Sequence, residues 1–284
     1  MTYRECYEKG CHILNEAGIE ESTLDARLLL EAVCGTDRND LLAHGEQPVM
    51  SQAEEKYLNW IRQRAEDIPL QQLTGEQDFM GLTFSVNEHV LIPRQDTEIL
   101  VEEVLKELHD RMRILDMCTG SGCILLSLLH YSNDCEGLGV DLSAEALEVA
   151  ERNVLKVLTP EKAEHAHFLQ SDLFEKVEGK FEIIVSNPPY IASAEVEKLM
   201  PEVRDHEPRM ALDGTEDGLH FYRRIIKEAG KHLVNSGMLF FEIGYDQGQA
   251  VSELMRTGGY REVQVVQDYA GLDRVVLGTY CERN

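Results

Sequence analysis

Four consecutive residues, Asn187, Pro188, Pro189 and Tyr190, have the composition of a site for a flat amide group. The two prolines fix the backbone angle φ and remove two N–H donors, so the turn is rigid. A primary carboxamide has two N–H donors, and the Asn187 side-chain oxygen and the Pro188 carbonyl could accept one each. Tyr190 could stack on the amide plane. We therefore assign catalysis to Asn187, Pro188 and Tyr190, acting by positioning and fixed dipoles without a side-chain base.

A second group of candidate residues forms a glycine-containing loop upstream of this tetrapeptide. The loop consists of Cys118, Thr119, Gly120, Ser121 and Gly122 and follows a short apolar run that ends near Asp116. Its glycines let the backbone turn tightly and approach a ligand closely. The loop alone fits an ordinary turn from a strand to a helix equally well, so its meaning depends on the residues that follow.

Acidic residues after the next two predicted strands indicate a nucleoside ligand. Asp141 ends the next strand and could accept both ribose hydroxyls. Asp172 follows the third strand and could bond to the adenine amino group, while Leu173 could pack on the adenine ring or in the core. A dinucleotide-binding loop has a third glycine where this chain has Leu125. That difference favours S-adenosylmethionine over a nicotinamide cofactor, because the loop is a poorer pyrophosphate site.

The elements that must position these residues follow from periodicity. Residues 1–75 have apolar side chains at helical spacing, and residues 76–93 read as a hairpin that links two domains. Residues 94–284 alternate strands with helices, which is typical of a parallel sheet covered on both faces. Ligands bind beyond the carboxyl ends of such strands, so the glycine loop and the tetrapeptide should meet at one edge. A short turn between the last two strands predicts an antiparallel edge hairpin.

Composition limits the classes of partner. The formal net charge is −25 and no segment is rich in Lys or Arg, which argues against direct binding to duplex DNA. The acidic excess either keeps the chain soluble or attracts a basic protein. The seven cysteines include no Cys-x-x-Cys pair, so neither a metal site nor a disulfide framework is expected. With no apolar segment long enough for a membrane, we expect a cytoplasmic protein.

Taken together, the motifs resemble those of the HemK/PrmC family of release factor glutamine methyltransferases over nearly the whole chain. The matching segments are Thr-Gly-Glu at 74–76 with Phe79, Leu-Ile-Pro-Arg at 91–94, Asp-Thr-Glu at 96–98, Cys-Thr-Gly-Ser-Gly-Cys at 118–123, Ser-Asn-Pro-Pro-Tyr-Ile at 186–191, Glu-Pro at 207–208, Ala-Leu at 211–212 and Ala-Gly-Leu-Asp-Arg-Val at 270–275. The tetrapeptide alone also occurs in adenine and cytosine N-methyltransferases. The combination with the Ile-Pro-Arg segment and the glycine loop is far more specific.

The resemblance implies an α/β class I methyltransferase domain with a seven-stranded, mostly parallel sheet, a helical N-terminal substrate-recognition domain and a hairpin linker. It implies N5-methylation of the glutamine in the Gly-Gly-Gln motif of class-1 peptide-chain release factors. S-adenosylmethionine is then the donor and S-adenosylhomocysteine the product, and the protein is expected to be a monomer. The family's cofactor contacts fall on residues 118–122, Asp141, Leu173 and Asn187, and its glutamine contacts on residues 187–190, with Arg94 beside them.

The chain departs from the family pattern at two positions. Gln95 replaces a proline that usually follows Arg94, and this could loosen the start of the next helix. Leu173 stands where relatives often have an aromatic residue. Arg94 itself could steer the substrate or pair with Glu98 one helical turn away. His206 and Glu207 are expected in a solvated or substrate-facing loop.

Other functions remain compatible with the same chemistry. Glutamine methylation of a ribosomal protein would use the same site. A DNA adenine or cytosine N-methyltransferase also presents an exocyclic amino group to such a tetrapeptide, although the net charge of −25 disfavours it. A protein that binds a nucleoside without catalysis is disfavoured by the intact residues at both candidate sites.

Overall fold

The computed structural model describes residues 1–282 of the chain. These residues divide into two compact units, one formed by residues 1–76 with 200–206, the other by residues 77–199 with 207 onward. The division does not test the proposed boundaries at 75/76 and 93/94, which stay predictions. Within the described part of the chain, no helix is both long and apolar enough to cross a bilayer.

The secondary structure follows the predicted pattern along the chain. The helices are α1 Tyr3–Glu16, α2 Ser22–Cys34, α3 Arg38–Ala43, α4 Ser51–Arg64, α5 Leu70–Thr74, α6 Gln95–Glu107, α7 Cys123–Tyr131, α8 Ala144–Val157, α9 Pro160–Ala163, α10 Ser193–Val196, α11 Pro201–His206, α12 Arg209–Leu212, α13 His220–Ala229 and α14 Gly248–Thr257. The strands are β1 Glu76–Phe79, β2 Leu82–Ser85, β3 Arg113–Met117, β4 Glu136–Asp141, β5 Ala166–Gln170, β6 Phe181–Ser186, β7 Leu233–Glu242, β8 Tyr260–Gln267 and β9 Asp273–Tyr280.

The first unit is helical and has its own apolar core. Helix α1 begins with a capping box in which Thr2 and Glu5 satisfy each other's backbone N–H groups. The largest side chains fully buried in the unit come from α1, α2 and α4 and include Leu14, Leu29 and Tyr57. Burial of these faces, rather than helix propensity, accounts for most of the stability of such helices.

The second unit contains a seven-stranded sheet in the order β5-β4-β3-β6-β7-β9-β8. The first five strands of that order are parallel to their neighbours, whereas β9 pairs antiparallel with both β7 and β8. The predicted parallel sheet with an antiparallel edge hairpin is confirmed. Two apolar clusters stabilise the sheet, one formed with α6, α7 and α8 and the other with α13 and α14.

Two segments add detail to this pattern. Residues 90–92 follow the β1–β2 hairpin and form no strand, although Val90 and Ile92 are almost fully buried. The stretch after β6 contains the short helices α10, α11 and α12. Of these, α11 belongs to the first unit.

Candidate active site

A cavity of about 520 Å³ lies at the carboxyl ends of β5, β4, β3 and β6. Its volume is in the range of small-molecule sites. Most of the residues predicted from the sequence line it together. They are Arg94, Cys118, Thr119, Gly120, Ser121, Asp141, Asp172, Leu173, Asn187 and Pro189. The parallel sheet brings most of these residues together because they follow the ends of β3, β4, β5 and β6, whereas Arg94 comes from the start of α6.

The glycine loop connects β3 to α7 in a tight turn. Cys118, Gly120 and Gly122 have φ values of 64°, 55° and 79°, in the left-handed region. A non-glycine residue in this region is strained, and such strain is common at functional sites. The loop is held by the Thr119 hydroxyl, which donates to the Asp116 carboxylate at 2.6 Å, and by the Thr119 N–H, which donates to the Val140 carbonyl at 3.0 Å.

Gly120 and Gly122 play different roles in this turn. A Cβ atom built on Gly120 meets no heavy atom within 4 Å, so this residue faces open space. A Cβ atom on Gly122 would lie 3.2 Å from side-chain atoms of Ala150 and Leu126. Gly122 is absent from the residues that line the cavity, and we infer that it permits close packing of α7 rather than ligand contact.

Asp141, at the end of β4, is fixed by backbone groups. One carboxylate oxygen accepts the Gly120 N–H at 2.9 Å and the other accepts the Ser143 N–H at 3.0 Å. Burial raises the pKa of the Asp141 carboxyl, and these N–H donors oppose that shift. A carboxylate has about four lone-pair sites, so Asp141 can still accept two hydroxyl groups. This is the arrangement expected of a residue that holds a ribose.

Asp172 and Leu173 lie at the predicted adenine end of the cavity. Asp172 forms an ion pair with Arg224 at 2.9 Å, a partner that spacing along the chain does not indicate. Leu173 is buried and adopts a φ of 50°. Its side chain lines the cavity and also belongs to the apolar cluster beneath, while its contact with adenine stays a prediction.

The tetrapeptide divides between the cavity and the protein interior. Asn187 and Pro189 line the cavity, whereas Pro188 and Tyr190 do not. The Tyr190 hydroxyl donates instead to the Glu242 carboxylate at 3.3 Å. Tyr190 is partly buried and packs against an apolar cluster of the second unit, and its stacking on the substrate amide stays a prediction. The role of the Pro188 carbonyl stays a prediction.

Arg94 has a partner that the sequence analysis missed. Its guanidinium contacts the Glu207 carboxylate rather than Glu98, which accepts the Met80 N–H at 2.7 Å. The other Glu207 oxygen accepts the Ile92 N–H at 3.1 Å. The Glu207 side chain is 1% exposed and that of Arg94 is 40% exposed. Glu207 was expected in a solvated or substrate-facing loop, and the solvated alternative is wrong because this buried carboxylate anchors the segment that carries Arg94.

Further residues at or behind the site were not identified from the sequence. Thr97, Met210 and Phe221 line the cavity, and Glu242 lies behind the tetrapeptide. Glu242 could have been identified from the sequence, because it is a charged residue at the end of the apolar strand β7. Nothing in the sequence marks Thr97, Met210 and Phe221 in the same way, since their spacing also fits ordinary amphipathic helices.

Buried acids and thiols near the cavity do not supply a nucleophile. Burial raises the pKa of the Asp116 carboxyl to about 7, and this carboxyl accepts a hydrogen bond from the Thr119 hydroxyl. Burial also raises the pKa of the Cys118 thiol, so it stays protonated near neutral pH and is a weak nucleophile. Among residues 1–282, no group of three His, Cys, Asp or Glu side chains is arranged to hold a metal ion.

Comparison with known proteins identifies the family. Residues 5–75 match the family model described as the PrmC N-terminal domain, and residues 94–203 match the methyltransferase small domain. Over 281 residues the chain is 40% identical to the release factor glutamine methyltransferase of Clostridium acetobutylicum, covering 98% of both chains. The protein of that name from Moorella thermoacetica is 43% identical, again over 98% of both chains.

The fold is shared more widely than the sequence. A crystal structure of a methyltransferase from Pyrococcus furiosus superimposes with a TM-score of 0.52 at 16% identity, covering 82% of this chain and all of the other. This likeness supports the class I methyltransferase fold alone. Sequence identity of about 40% over nearly the full length carries the further conclusion. The chain belongs to the release factor glutamine methyltransferase family.

Proposed function

We propose that this protein transfers a methyl group from S-adenosylmethionine to the side-chain nitrogen N5 of the glutamine in the Gly-Gly-Gln motif of class-1 peptide-chain release factors. The observation that carries the proposal is that one cavity is lined by both Asn187 and Asp141. The carboxylate proposed to bind the nucleoside and the side chain proposed to bind the amide thus line the same cavity. The names of the full-length relatives supply the class of substrate.

The residues around the glycine loop suit S-adenosylmethionine. Asp141 would hold the ribose hydroxyls, and Asp172 and Leu173 would hold the adenine. The open space beyond Gly120 leaves room for the amino-acid part against residues 118–121. When bound, this cofactor supplies an electrophilic methyl group on a sulfonium centre. The loop lacks the third glycine that a pyrophosphate site uses. It therefore suits a ligand without phosphates, such as S-adenosylmethionine.

The chain's own task is to hold a poor nucleophile in position. The lone pair of a carboxamide nitrogen is delocalised into its carbonyl group. Asn187 Oδ1 and the Pro188 carbonyl would accept its two N–H groups, which fixes the direction of the nitrogen. Both acceptors would also stabilise the positive charge that develops on the nitrogen as the new N–C bond forms, and one of the two N–H protons would then leave to water. A glutamate side chain would be rejected, since its carboxylate would face these same acceptors.

The proposal is tested with labelled S-adenosylmethionine and purified release factor. We expect the release factor to be labelled and a variant with alanine in place of the Gly-Gly-Gln glutamine to stay unlabelled. Ribosomal proteins offered in place of the release factor should also stay unlabelled. Equal labelling of both release factors, or labelling of ribosomal proteins alone, would overturn the assignment of the substrate.

The proposal extends to the state of the protein in the cell. We expect a monomer in the cytoplasm, where release factors act, and its seven free cysteines accord with a reducing compartment. The net charge of −25 disfavours duplex DNA as the substrate. Light scattering on a size-exclusion column measures the oligomeric state directly.

A further inference from the structure

One side-chain amide ties the connection after β7 to the end of the tetrapeptide. Gln247 Nε2 donates to the Tyr190 carbonyl at 3.0 Å, and Gln247 Oε1 accepts the Gly244 N–H at 3.0 Å. Gln247 is half-buried and does not line the cavity. It therefore bonds to the catalytic segment without facing the space where a ligand would bind.

The backbone partners leave the Gln247 amide only one orientation. A backbone N–H can only donate and a carbonyl can only accept. The amide oxygen must therefore face Gly244, and the NH2 group must face Tyr190. The Gly218 carbonyl, 3.5 Å from Nε2, is a further acceptor for that group. No titratable side chain enters these bonds, so their direction does not change with pH.

Neighbouring backbone also encloses the last carbonyls of the tetrapeptide. A Cβ atom built on Gly214 would lie 2.8 Å from the Pro189 carbonyl oxygen, and one on Gly218 would lie 2.3 Å from the Tyr190 carbonyl oxygen. A side chain at either glycine would force the two segments apart. By contrast, no backbone N–H within residues 1–282 donates to the Pro188 carbonyl. That carbonyl keeps its capacity to accept a hydrogen bond from a ligand.

The other end of the tetrapeptide is held by the sheet. Ser186 pairs with Met117 across β6 and β3, and its hydroxyl donates to the Met117 carbonyl at 2.6 Å. The two proline rings fix φ at both central positions. The direction of the Pro188 carbonyl therefore depends on where the far end of the turn, at Tyr190, is held.

We propose that Gln247 is a positioning residue that holds the tetrapeptide so that the Pro188 carbonyl faces the substrate amide. The inference rests on the function proposed above, which gives this carbonyl a substrate N–H to accept. Gln247 touches neither ligand and acts through the Tyr190 carbonyl. A carbonyl that is turned away loses its contribution to the charge that develops on the amide nitrogen.

The order of the strands separates this role from cofactor binding. The glycine loop follows β3, the tetrapeptide follows β6, and Gln247 lies between β7 and α14. Strands β3, β6 and β7 are neighbours in that order, so the tetrapeptide lies between Gln247 and the glycine loop. Substitution of Gln247 should therefore lower turnover and leave the affinity for S-adenosylmethionine unchanged.

The test uses Gln247→Glu, which keeps the shape and the acceptor for Gly244 but loses the donor to Tyr190. At pH 8 the introduced carboxyl is ionised. We expect kcat to fall on the order of 10-fold there, with KM and cofactor affinity changed by no more than about threefold. A protonated carboxyl can donate, so the ratio of variant to wild-type kcat should rise as the pH is lowered to 5. Gln247→Leu cannot donate at any pH and should show no such recovery.

Gln249→Glu is the matched control. It adds the same charge at the same end of α14, where a negative charge is favourable. Gln249 is exposed and its amide donates to Glu253 at 2.9 Å, away from the tetrapeptide. This variant should keep the wild-type kcat at each pH. An equal loss in Gln249→Glu and Gln247→Glu would trace the effect to charge alone and contradict the proposal.

A spectroscopic readout reports on the Pro188 carbonyl directly. Pro188 and Pro189 form the one Pro-Pro pair of the sequence. Protein labelled with ¹³C at the proline carbonyls and ¹⁵N at the proline nitrogens therefore gives a single signal from a directly bonded pair. We expect this signal to shift in Gln247→Leu, and in Gln247→Glu to return toward its wild-type position as the pH falls. It should not move in Gln249→Glu.

The two measurements separate the inference from the proposed function. If wild-type protein labels no release factor while the proline signal behaves as expected, the proposed function fails and the positioning by Gln247 stands. An unmoved signal in Gln247→Leu would overturn the inference. A shifted signal with wild-type kcat would overturn it too, because the direction of the Pro188 carbonyl would then not matter for turnover.

Discussion

At the scale of single residues, the site depends on groups whose hydrogen-bonding capacity is already partly committed. Asp141 keeps free lone pairs after accepting the Gly120 and Ser143 N–H groups. Asn187 uses its Nδ2 group on Thr97 and retains its oxygen. Arg94 is directed by Glu207 but keeps an exposed portion of its guanidinium at the cavity. In each case a fixed partner orients the group, which lowers the cost of ordering it when a ligand binds.

Removal of the Asn187 amide should separate turnover from cofactor binding. We expect Asn187→Ala to lower kcat on the order of 100-fold or more, as for loss of a preorganised polar group at a reacting centre. Affinity for S-adenosylmethionine, measured by calorimetry, should fall only slightly. Asp141→Asn is the complementary variant and should weaken cofactor affinity at least about tenfold. Near-normal turnover in Asn187→Ala would contradict the assigned mechanism.

The buried Glu242 carboxyl should make stability depend on pH. Burial raises its pKa to about 7, from an ordinary value of 4.5. The folded state therefore binds the Glu242 proton more tightly than the unfolded state does. The protonated carboxyl stabilises the folded state at low pH, and this contribution is lost as pH rises toward 7. The free energy of unfolding should fall across this window by an amount on the order of 3 kcal/mol or less.

Urea unfolding followed by circular dichroism between pH 4.5 and 7.5 measures this dependence. Asp116, whose pKa burial also raises to about 7, acts with the same sign. Glu242→Gln should therefore flatten the dependence in part, and Asp116→Asn should remove a further portion. A wild-type profile that rises with pH through this window would show that other groups dominate.

At the scale of elements, tight turns after parallel strands create the cavity wall. The loops after β3 and β5 each place a non-glycine residue, Cys118 and Leu173, in the left-handed region. The tetrapeptide after β6 is held by backbone pairing beyond it, since Ile191 donates to the Leu212 carbonyl at 3.1 Å and Gly214 donates to the Ile191 carbonyl at 2.8 Å. These backbone hydrogen bonds hold the segment that follows the tetrapeptide in place.

A methyl group on Gly120 should block the ligand without disturbing the fold elsewhere. Gly120→Ala places the added carbon in open space at a φ of 55°. We expect a stability loss of about 1 to 2 kcal/mol from the backbone conformation and a loss of cofactor affinity of at least about tenfold. Gly271→Ala is the control, because Gly271 also has a positive φ, meets no atom within 4 Å and lies outside the cavity.

Thermal unfolding measures the stability of each variant, and calorimetric titration measures its affinity for S-adenosylmethionine. Both alanine variants should lose similar stability, while only Gly120→Ala should lose affinity. If both kept wild-type affinity, the cofactor would not approach the backbone at Gly120.

At the scale of the whole molecule, the grouping of elements into compact units differs from their order along the chain. Helix α11 lies far along the sequence between elements of the second unit but belongs to the first. Within that unit Arg64 joins α2 to α11, bonding to Asp25 at 2.7 Å and to Glu202 at 2.6 Å. Arg64 and Asp25 are both buried. The first unit is therefore completed by a segment that a division by sequence alone would assign elsewhere.

Loss of Arg64 should destabilise the first unit. Arg64→Met leaves the Asp25 carboxylate buried without its partner, which typically costs about 3 kcal/mol or more. Fluorescence of Trp60, the one tryptophan of the chain, reports on this unit during urea unfolding. Arg62→Met, at an exposed position on the same helix, should change the midpoint little. Equal midpoints for the two variants would mean that the buried ion pair contributes nothing.

The sequence by itself determined the order of strands and helices and the chemistry of the segments that end each strand. Apolar periodicity and turn residues are local signals, so the alternation of strands and helices over residues 94–284 was predicted correctly. Parallel strands share one carboxyl edge, and that rule alone placed Asn187 beside Asp141. The same reasoning could not assign partners to charged side chains, since a partner's distance in space is not encoded in spacing along the chain.

Only the tertiary structure decided which candidate residues line the cavity and which partners the charged and polar side chains find. It paired Arg94 with Glu207, bonded the Tyr190 hydroxyl to Glu242 and left Gly122 out of the cavity lining. The physical reason is that a buried polar group must find a partner, and the available partner is set by packing of distant segments. Residue types thus fixed what the site could bind, while packing fixed how each residue takes part.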